Sequence, residues 1–139
     1  LLYNQEKKIV SLTEELAFIA SYTYLLQTRF SDHLVVENKI SELSENAMVP
    51  PASLQMLIEN AIKHNVASKK LPLTISLEHK DGYLIVSNSL QKKEIAEEST
   101  KIGLKNIISR YKLLSDQPVE IMKTDSKFIV KLPVLHLET

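Results

Sequence analysis

Four side chains of different chemistry crowd one short apolar stretch of this sequence. In Leu54-Gln55-Met56-Leu57-Ile58-Glu59-Asn60-Ala61-Ile62-Lys63-His64-Asn65, a carboxylate, an amide, an ammonium and an imidazole follow one another closely. Carboxylates and imidazoles handle protons, an ammonium attracts anions, and an amide both donates and accepts. Read at ~100° per residue, Leu54, Leu57, Ile58 and Ala61 share one helical face, with Asn60 and His64 one turn apart beside it and Lys63 next to them. Glu59 and Lys63 also stand at i,i+4, the spacing of a surface ion pair. Such a helix packs on something and shows its polar flank to a cleft.

The elements that position this helix follow from the flanking sequence. Ser11-Leu12-Thr13-Glu14 reads as a capping box, in which Ser11 takes the N3 amide and Glu14 reaches back. Leu12, Leu16, Ile19, Leu26 and Phe30 then recur at helical spacing, with Phe18, Tyr22 and Leu25 as a second stripe. They predict a helix over 12–30 that is buried on two sides. The β-branched run 33–40 reads as a strand, and 41–52 as a polar connection ending at Pro50-Pro51, ahead of a helix over 52–65. Leu73, Ile75 and Leu77 alternate in a strand that turns at Lys80-Asp81-Gly82, where Asp-Gly supplies positive φ, and returns over 83–88. Residues 89–102 form a long charged loop, a length that in a compact domain points to function. A helix over 104–114 and strands over 118–123 and 127–134 complete the chain. This order predicts an α+β two-layer sandwich, with helices on one face of a mixed β-sheet.

Composition sets the outer limits. With 139 residues and 44% hydrophobic content, the chain suits one domain with a proper core. Lys plus Arg equals Asp plus Glu at 17 each, which argues against a broad nucleic-acid surface. There is no cysteine, hence no disulfide and no thiolate metal site, and no apolar run approaches the ~20 residues of a membrane span. The chain opens at Leu1 without an initiator Met, as expected of a piece of a longer protein. Only Gly82 and Gly103 are glycines, so each is expected where backbone freedom matters.

Two separated motifs resemble one family. Pro50-Pro51-x-Ser53-Leu54-Gln55-x-Leu57-Ile58-Glu59-Asn60-Ala61-Ile62-Lys63-His64 resembles the N box of LytS-type sensor histidine kinases. Ile102-Gly103-Leu104-Lys105-Asn106-Ile107-x-x-Arg110-Tyr111 is similar to the glycine-containing motif that follows their nucleotide lid. Ser11-Leu12-x-Glu14-Glu15-Leu16, with Tyr22, Leu25, Gln27, Arg29 and Phe30, resembles the linker behind their dimerisation helices. The resemblance implies the Bergerat (GHKL) fold, with ATP and Mg2+ as ligands. It divides the chain into a linker stub and first helix (1–30) and the ATP-binding catalytic domain (31–139). It further implies a membrane-anchored homodimer whose cytoplasmic catalytic domain phosphorylates a histidine on its own dimerisation domain. A response regulator, LytTR-type by resemblance, would be the next partner, and no nucleic acid is implied.

Site roles follow from the same resemblance. The Asn60 amide oxygen suits a hard cation that also takes phosphate oxygens. Lys63 offers a point charge to phosphate, and His64 a donor one turn beyond Asn60. Glu59 is either a base toward the attacking group or the partner of Lys63. Gly103 and Leu104 open a helix whose N-terminal amides favour phosphate, and Lys101 just before them is either a phosphate contact or solvated. Lys92-Lys93 and Glu97-Glu98 read as a solvated lid face. Two positions depart from the family: Asn88 stands where an Asp usually accepts from the adenine amino group, and Lys101 replaces a glycine. Both weaken the expected ATP affinity and open an alternative, a degenerate GHKL domain that serves as a nucleotide-free or nucleotide-gated interaction module. The family's phosphoacceptor lies in a Pro-His-Phe-type box, and no histidine precedes His33, so the chain alone is expected not to autophosphorylate.

Overall fold

The computed structural model describes residues 8–93 and 101–136. Strand β1 (Val10–Ser11) leads into helix α1 (Leu12–Phe30), a 3-10 turn (Ser31–His33) and strand β2 (Leu34–Asn38). Strand β3 (Ala47–Val49) and helix α2 (Ser53–His64) precede the hairpin of β4 (Leu73–Lys80) and β5 (Tyr83–Ser89). Helix α3 (Lys101–Leu114), β6 (Glu120–Lys123), β7 (Lys127–Pro133) and β8 (Leu135–His136) complete the described chain. Five strands form a sheet in the order β2-β4-β5-β7-β6, with β2 and β4 parallel and the other pairs antiparallel. A small antiparallel sheet, β1-β3-β8, closes one end.

Alternation along β4 and β5 sets the layers. Leu73, Ile75, Leu77, Leu84 and Val86 are buried under the helices. The opposite face carries Ser76 and Ser87, whose hydroxyls meet at 2.7 Å. Asp81 (φ 54) and Gly82 (φ 80) make the hairpin turn with the positive φ that Asp-Gly predicts. Leu54, Leu57, Ile58 and Ala61 are all buried, so the apolar face of α2 meets the sheet as its spacing requires. Burial of Leu54, Leu57 and Ile58 contributes roughly 1.5–3 kcal/mol each.

Several expectations change. The short β1, β3 and β8 carry no periodicity of their own, and β3 lies inside the stretch 41–52 read as a polar connection. Helix α1 is buried on one side only: Leu12 and Ile19 are in the core, while Phe18 and Leu25 are 51% and 64% exposed. Its buried side joins the same core as α2 and the sheet, and β1 pairs with β3. Ser11 caps α1 by accepting from the Glu14 amide at 3.3 Å; among the described residues Glu14 does not return the bond. Helix α3 starts three residues earlier than residue 104, which puts Gly103 in its first turn without a positive φ. A Cβ there would meet Met56 Cε at 3.8 Å, an ordinary contact.

Helix α2 has no cap of its own. Its N-cap residue, Ala52, is left-handed (φ 63), and no side chain of the preceding segment bonds to the first amides. Glu15 of α1 supplies the acceptor instead, taking the Leu54 amide at 3.2 Å on Oε1. Arg110 of α3 donates to the Pro51 carbonyl at 2.8 Å. Glu15 is 6% exposed, and burial raises its carboxyl to about 7, against the lowering effects of the Leu54 amide and Arg110.

That shift makes stability depend on pH. The unfolded carboxyl ionises near its ordinary value while the folded one still holds its proton, so the folded state binds more protons between about pH 4.5 and 7. Stability contributed by Glu15 is therefore present at pH 4 and lost as pH rises through 7. Glu15→Gln keeps an acceptor for Leu54 and removes the titration. Denaturant unfolding should find the variant stabilised by roughly 1–3 kcal/mol at pH 8 and nearly unchanged at pH 4.5. Wild-type stability that rises from pH 5 to 8 by an amount the variant lacks would contradict this assignment.

Candidate functional site

Two cavities flank α2, and the polar residues of the helix are divided between them. The first, of about 370 Å3, lies between α2, the start of α3 and the sheet. Asn60, Ala61, His64 and Asn65 form its helical wall, and Leu104 enters from the first turn of α3. The facing wall is set by strand register: Asn88 pairs with Phe128, and Phe128 with Lys123, so three inward positions on β5, β7 and β6 line up. Leu90, Lys92 and Lys93 close the rim.

The polar groups here are few and fixed. Asn88 is 6% exposed and donates its amide to the Ser89 carbonyl at 2.8 Å. Among the described residues nothing donates to Asn88 Oδ1, which leaves an acceptor at the cavity wall. The Asn60 amide likewise forms no hydrogen bond among the described residues. Asn65, 3% exposed, is a clamp: Nδ2 donates to Ala61 O at 2.9 Å and Oδ1 accepts from the Gln91 amide at 2.7 Å. Lys93 N donates to His64 O at 3.1 Å, and Gln91 Nε2 donates to Val66 O and Leu71 O. The segment after β5 is thereby tied to the end of α2.

Charge gathers at the rim. Lys92, Lys93 and Lys123 all line this cavity, and the closeness of Lys92, with some desolvation, holds the Lys123 ammonium below its usual value. Two ammonium groups that disfavour each other's charge favour an anion between them. Lys92 and Lys93, read from sequence as a solvated lid face, are exposed yet line the cavity, because the Asn65 clamp draws their backbone across it. Lys123 and Phe128 were not singled out from sequence; only pairing with Asn88 brings them here.

The second cavity, of about 500 Å3, lies between α1 and α2 and shares Asn65 and Lys93 with the first. Glu59 and Lys63 line this one, together with Tyr22, Arg29 and Phe30. The i,i+4 ion pair between Glu59 and Lys63 is not made among the described residues. Glu59 Oε1 instead accepts from Tyr22 Oη at 3.1 Å and Gln55 Nε2 at 3.1 Å. Asn60, His64, Asn88 and Leu104 thus meet around one cavity, while Gly103 lies against Met56 and the side chain of Lys101 lies outside the described part. The expected lid residues 94–100 are outside it as well.

No group of three or more His, Asp or Glu able to hold a metal occurs among the described residues. The donors that line the first cavity are amides and cations, a set that fits a hard cation arriving with phosphate oxygens rather than one held in a protein cage.

Comparison with known proteins defines a class. The chain superposes on the cytoplasmic segment of histidine kinase QseC with a TM-score of 0.60 and 16% identity, over 97% of this chain and 80% of that one. It also superposes on full-length ShkA in complex with AMPPNP, with a TM-score of 0.57 and 15% identity, over 96% of this chain and 33% of that one. The fold is that of a histidine kinase catalytic domain. No family model matches the chain.

Sequence relatives narrow the class. The chain is 38% identical over 69 residues to the sensor protein LytS of Staphylococcus saprophyticus, covering 50% of this chain and 12% of that protein. It is 28% identical over 145 residues to LytS of Oceanobacillus iheyensis, covering 90% of this chain and 25% of that protein. It is also 30% identical over 148 residues to the uncharacterised YwpD of Bacillus subtilis, covering 97% of this chain and 53% of YwpD. These likenesses support a LytS-type histidine kinase ATP-binding domain, and the chain spans about half the length of YwpD and a quarter or less of these LytS proteins.

The Asn65 clamp yields a test that needs no ligand. Asn65→Ala strands the partly buried Gln91 amide, so urea unfolding should show a loss of about 1 kcal/mol, with faster hydrogen exchange at Gln91. Unchanged stability and exchange would mean that the segment after β5 is held by other contacts.

Proposed function

We propose that the chain is the ATP-binding catalytic domain of a two-component sensor histidine kinase. It transfers the γ-phosphoryl group of ATP to a histidine on a dimerisation domain outside residues 1–139. The observation that supports this most is the first cavity, which joins an apolar slot, a buried amide acceptor and a cationic rim on the polar flank of α2. Those are the features that a purine carrying a polyphosphate requires. Ala61, Leu90, Leu104 and Phe128 enclose the base, and Asn88 Oδ1 accepts from the adenine amino group. Because Asn is neutral, that bond is weaker than the one an Asp would make.

The phosphates lie toward His64, Lys92, Lys93 and Lys123, with the amides of the first turn of α3 nearby, where Gly103 carries no side chain. Asn60 holds Mg2+ through its amide oxygen, and the ion neutralises phosphate charge when bound. Lys63, on the second cavity, is left to the γ-phosphate end of the chain. Catalysis is then positioning and charge neutralisation, as phosphoryl transfer requires.

In the whole protein the domain works in a homodimer at the cytoplasmic side of a membrane, and the phosphoryl group passes on to a response regulator of LytTR type. The chain alone, lacking an acceptor histidine, binds nucleotide without phosphorylating itself. Among the described residues no helix is long and apolar enough to cross a membrane.

Calorimetric titration of the chain with ADP, with and without magnesium, tests this reading. Binding should strengthen with magnesium, and Asn60→Ala should remove most of that gain, about tenfold or more in Kd, while Asn88→Leu weakens binding in both conditions. No heat at millimolar nucleotide would sink it and favour a nucleotide-free interaction module.

A further inference from the structure

The arrangement around Glu59 bears on a part of the reaction the first cavity leaves open. Two donors from different elements, Tyr22 Oη of α1 and Gln55 Nε2 of α2, both bond to Glu59 Oε1, each at 3.1 Å. Oε2 is bonded by nothing among the described residues. A surface carboxylate swings freely; this one is fixed from two sides through a single oxygen. The cavity it lines is separate from the first but touches it at Asn65 and Lys93. Arg29, Lys63 and Lys93 bring positive charge to the same space.

We propose that this second cleft, between α1 and α2, is the acceptor side of the transfer site. It admits a histidine imidazole, and Tyr22 and Gln55 are positioning residues that hold Glu59 toward it. The inference rests on the kinase reading above. A phosphate chain that leaves the first cavity past Asn65 and Lys93 presents its terminal phosphorus at the border of the two spaces. The imidazole attacks through its unprotonated nitrogen and forms the N–P bond. The bond from phosphorus to the β–γ bridging oxygen breaks, and its electron pair leaves on ADP. The proton on the other ring nitrogen passes to Glu59 Oε2. With Oε1 already accepting two hydrogen bonds, only Oε2 can take it. The cations stabilise the charge on phosphoryl oxygens during transfer, and a negative phosphohistidine afterwards.

The test measures acid-labile phosphate incorporated by the full-length protein from radiolabelled ATP, alongside nucleotide titration of the chain. Tyr22→Phe and Gln55→Leu should each lower turnover at saturating ATP about five- to tenfold, and Glu59→Gln about a hundredfold, with KM for ATP and Kd for ADP within twofold of wild type. In the Glu59→Gln background, Tyr22→Phe should have no further effect, because its action runs through that carboxylate. Val66→Trp adds bulk at an exposed lining position, and should block incorporation while leaving the Kd for ADP unchanged.

Wild-type turnover in Val66→Trp would mean the acceptor enters elsewhere. An equal loss from Tyr22→Phe with and without Glu59→Gln, or a loss carried by KM, would reduce Tyr22 to a packing residue. If the chain binds no nucleotide, the kinase reading itself fails. If it binds and these variants phosphorylate normally, only the acceptor assignment does.

Discussion

Helix α2 begins without a cap of its own, and the rest of the domain is built to supply one. Ala52 is left-handed, and the buried amide of Leu54, which has no partner within its own helix, is met by Glu15, which sits in α1 39 positions earlier in the chain. Arg110 of α3 secures the Pro51 carbonyl from the other side. Three helices are thus tied at one point, and the Glu15 bond lies in a dry setting, where it carries more weight than the exposed Arg110 bond. The cost is visible in Glu15, whose carboxyl burial raises to about 7, and in Glu15 Oε2 and Tyr111 Oη, which are buried without a partner among the described residues.

Fixing the start of α2 fixes the rotation of its polar flank. Since Leu54, Leu57, Ile58 and Ala61 must face the sheet, Asn60 and His64 fall to one side and Glu59 and Lys63 to the other. Successive residues on a helix are ~100° apart, so neighbours in sequence need not serve the same space. A single helix thereby furnishes two cavities, one toward α3 and the sheet and one toward α1. The Asn65 clamp at its far end joins their shared border to the segment after β5, so one residue ends the helix and holds that segment. The nucleotide and acceptor roles proposed for the two spaces follow this division.

Much of this could be read in the sequence. The apolar spacing of α2, the alternation of β4 and β5, and the Asp81-Gly82 turn are local signals, and each element formed where its own residues ask for it. Asn60, His64 and Leu104 were legible through the family's two motifs, and Asn88 as the departure from the family's usual Asp; all four line one cavity. What could not be read was pairing over long distance. The strands β1, β3 and β8 are two or three residues long and exist only because each completes another. Lys123 and Phe128 reach the cavity through strand register, which no local pattern announces. The Glu59–Lys63 ion pair failed for a related reason: an exposed i,i+4 pair offers only ~0.3–0.5 kcal/mol, and Tyr22, 37 positions away, offers the carboxylate a better-shielded bond.

The central claim is that one flank of α2 faces a nucleotide. Titrating ADP and magnesium into isotopically labelled chain, and following its amide and side-chain amide signals, tests this most directly. The account expects shifts at Asn60, Ala61, Asn88, Leu104 and Phe128, with the outer face at Ser76 and Ser87 silent. Shifts confined to that outer face, or none at millimolar ADP, would contradict it.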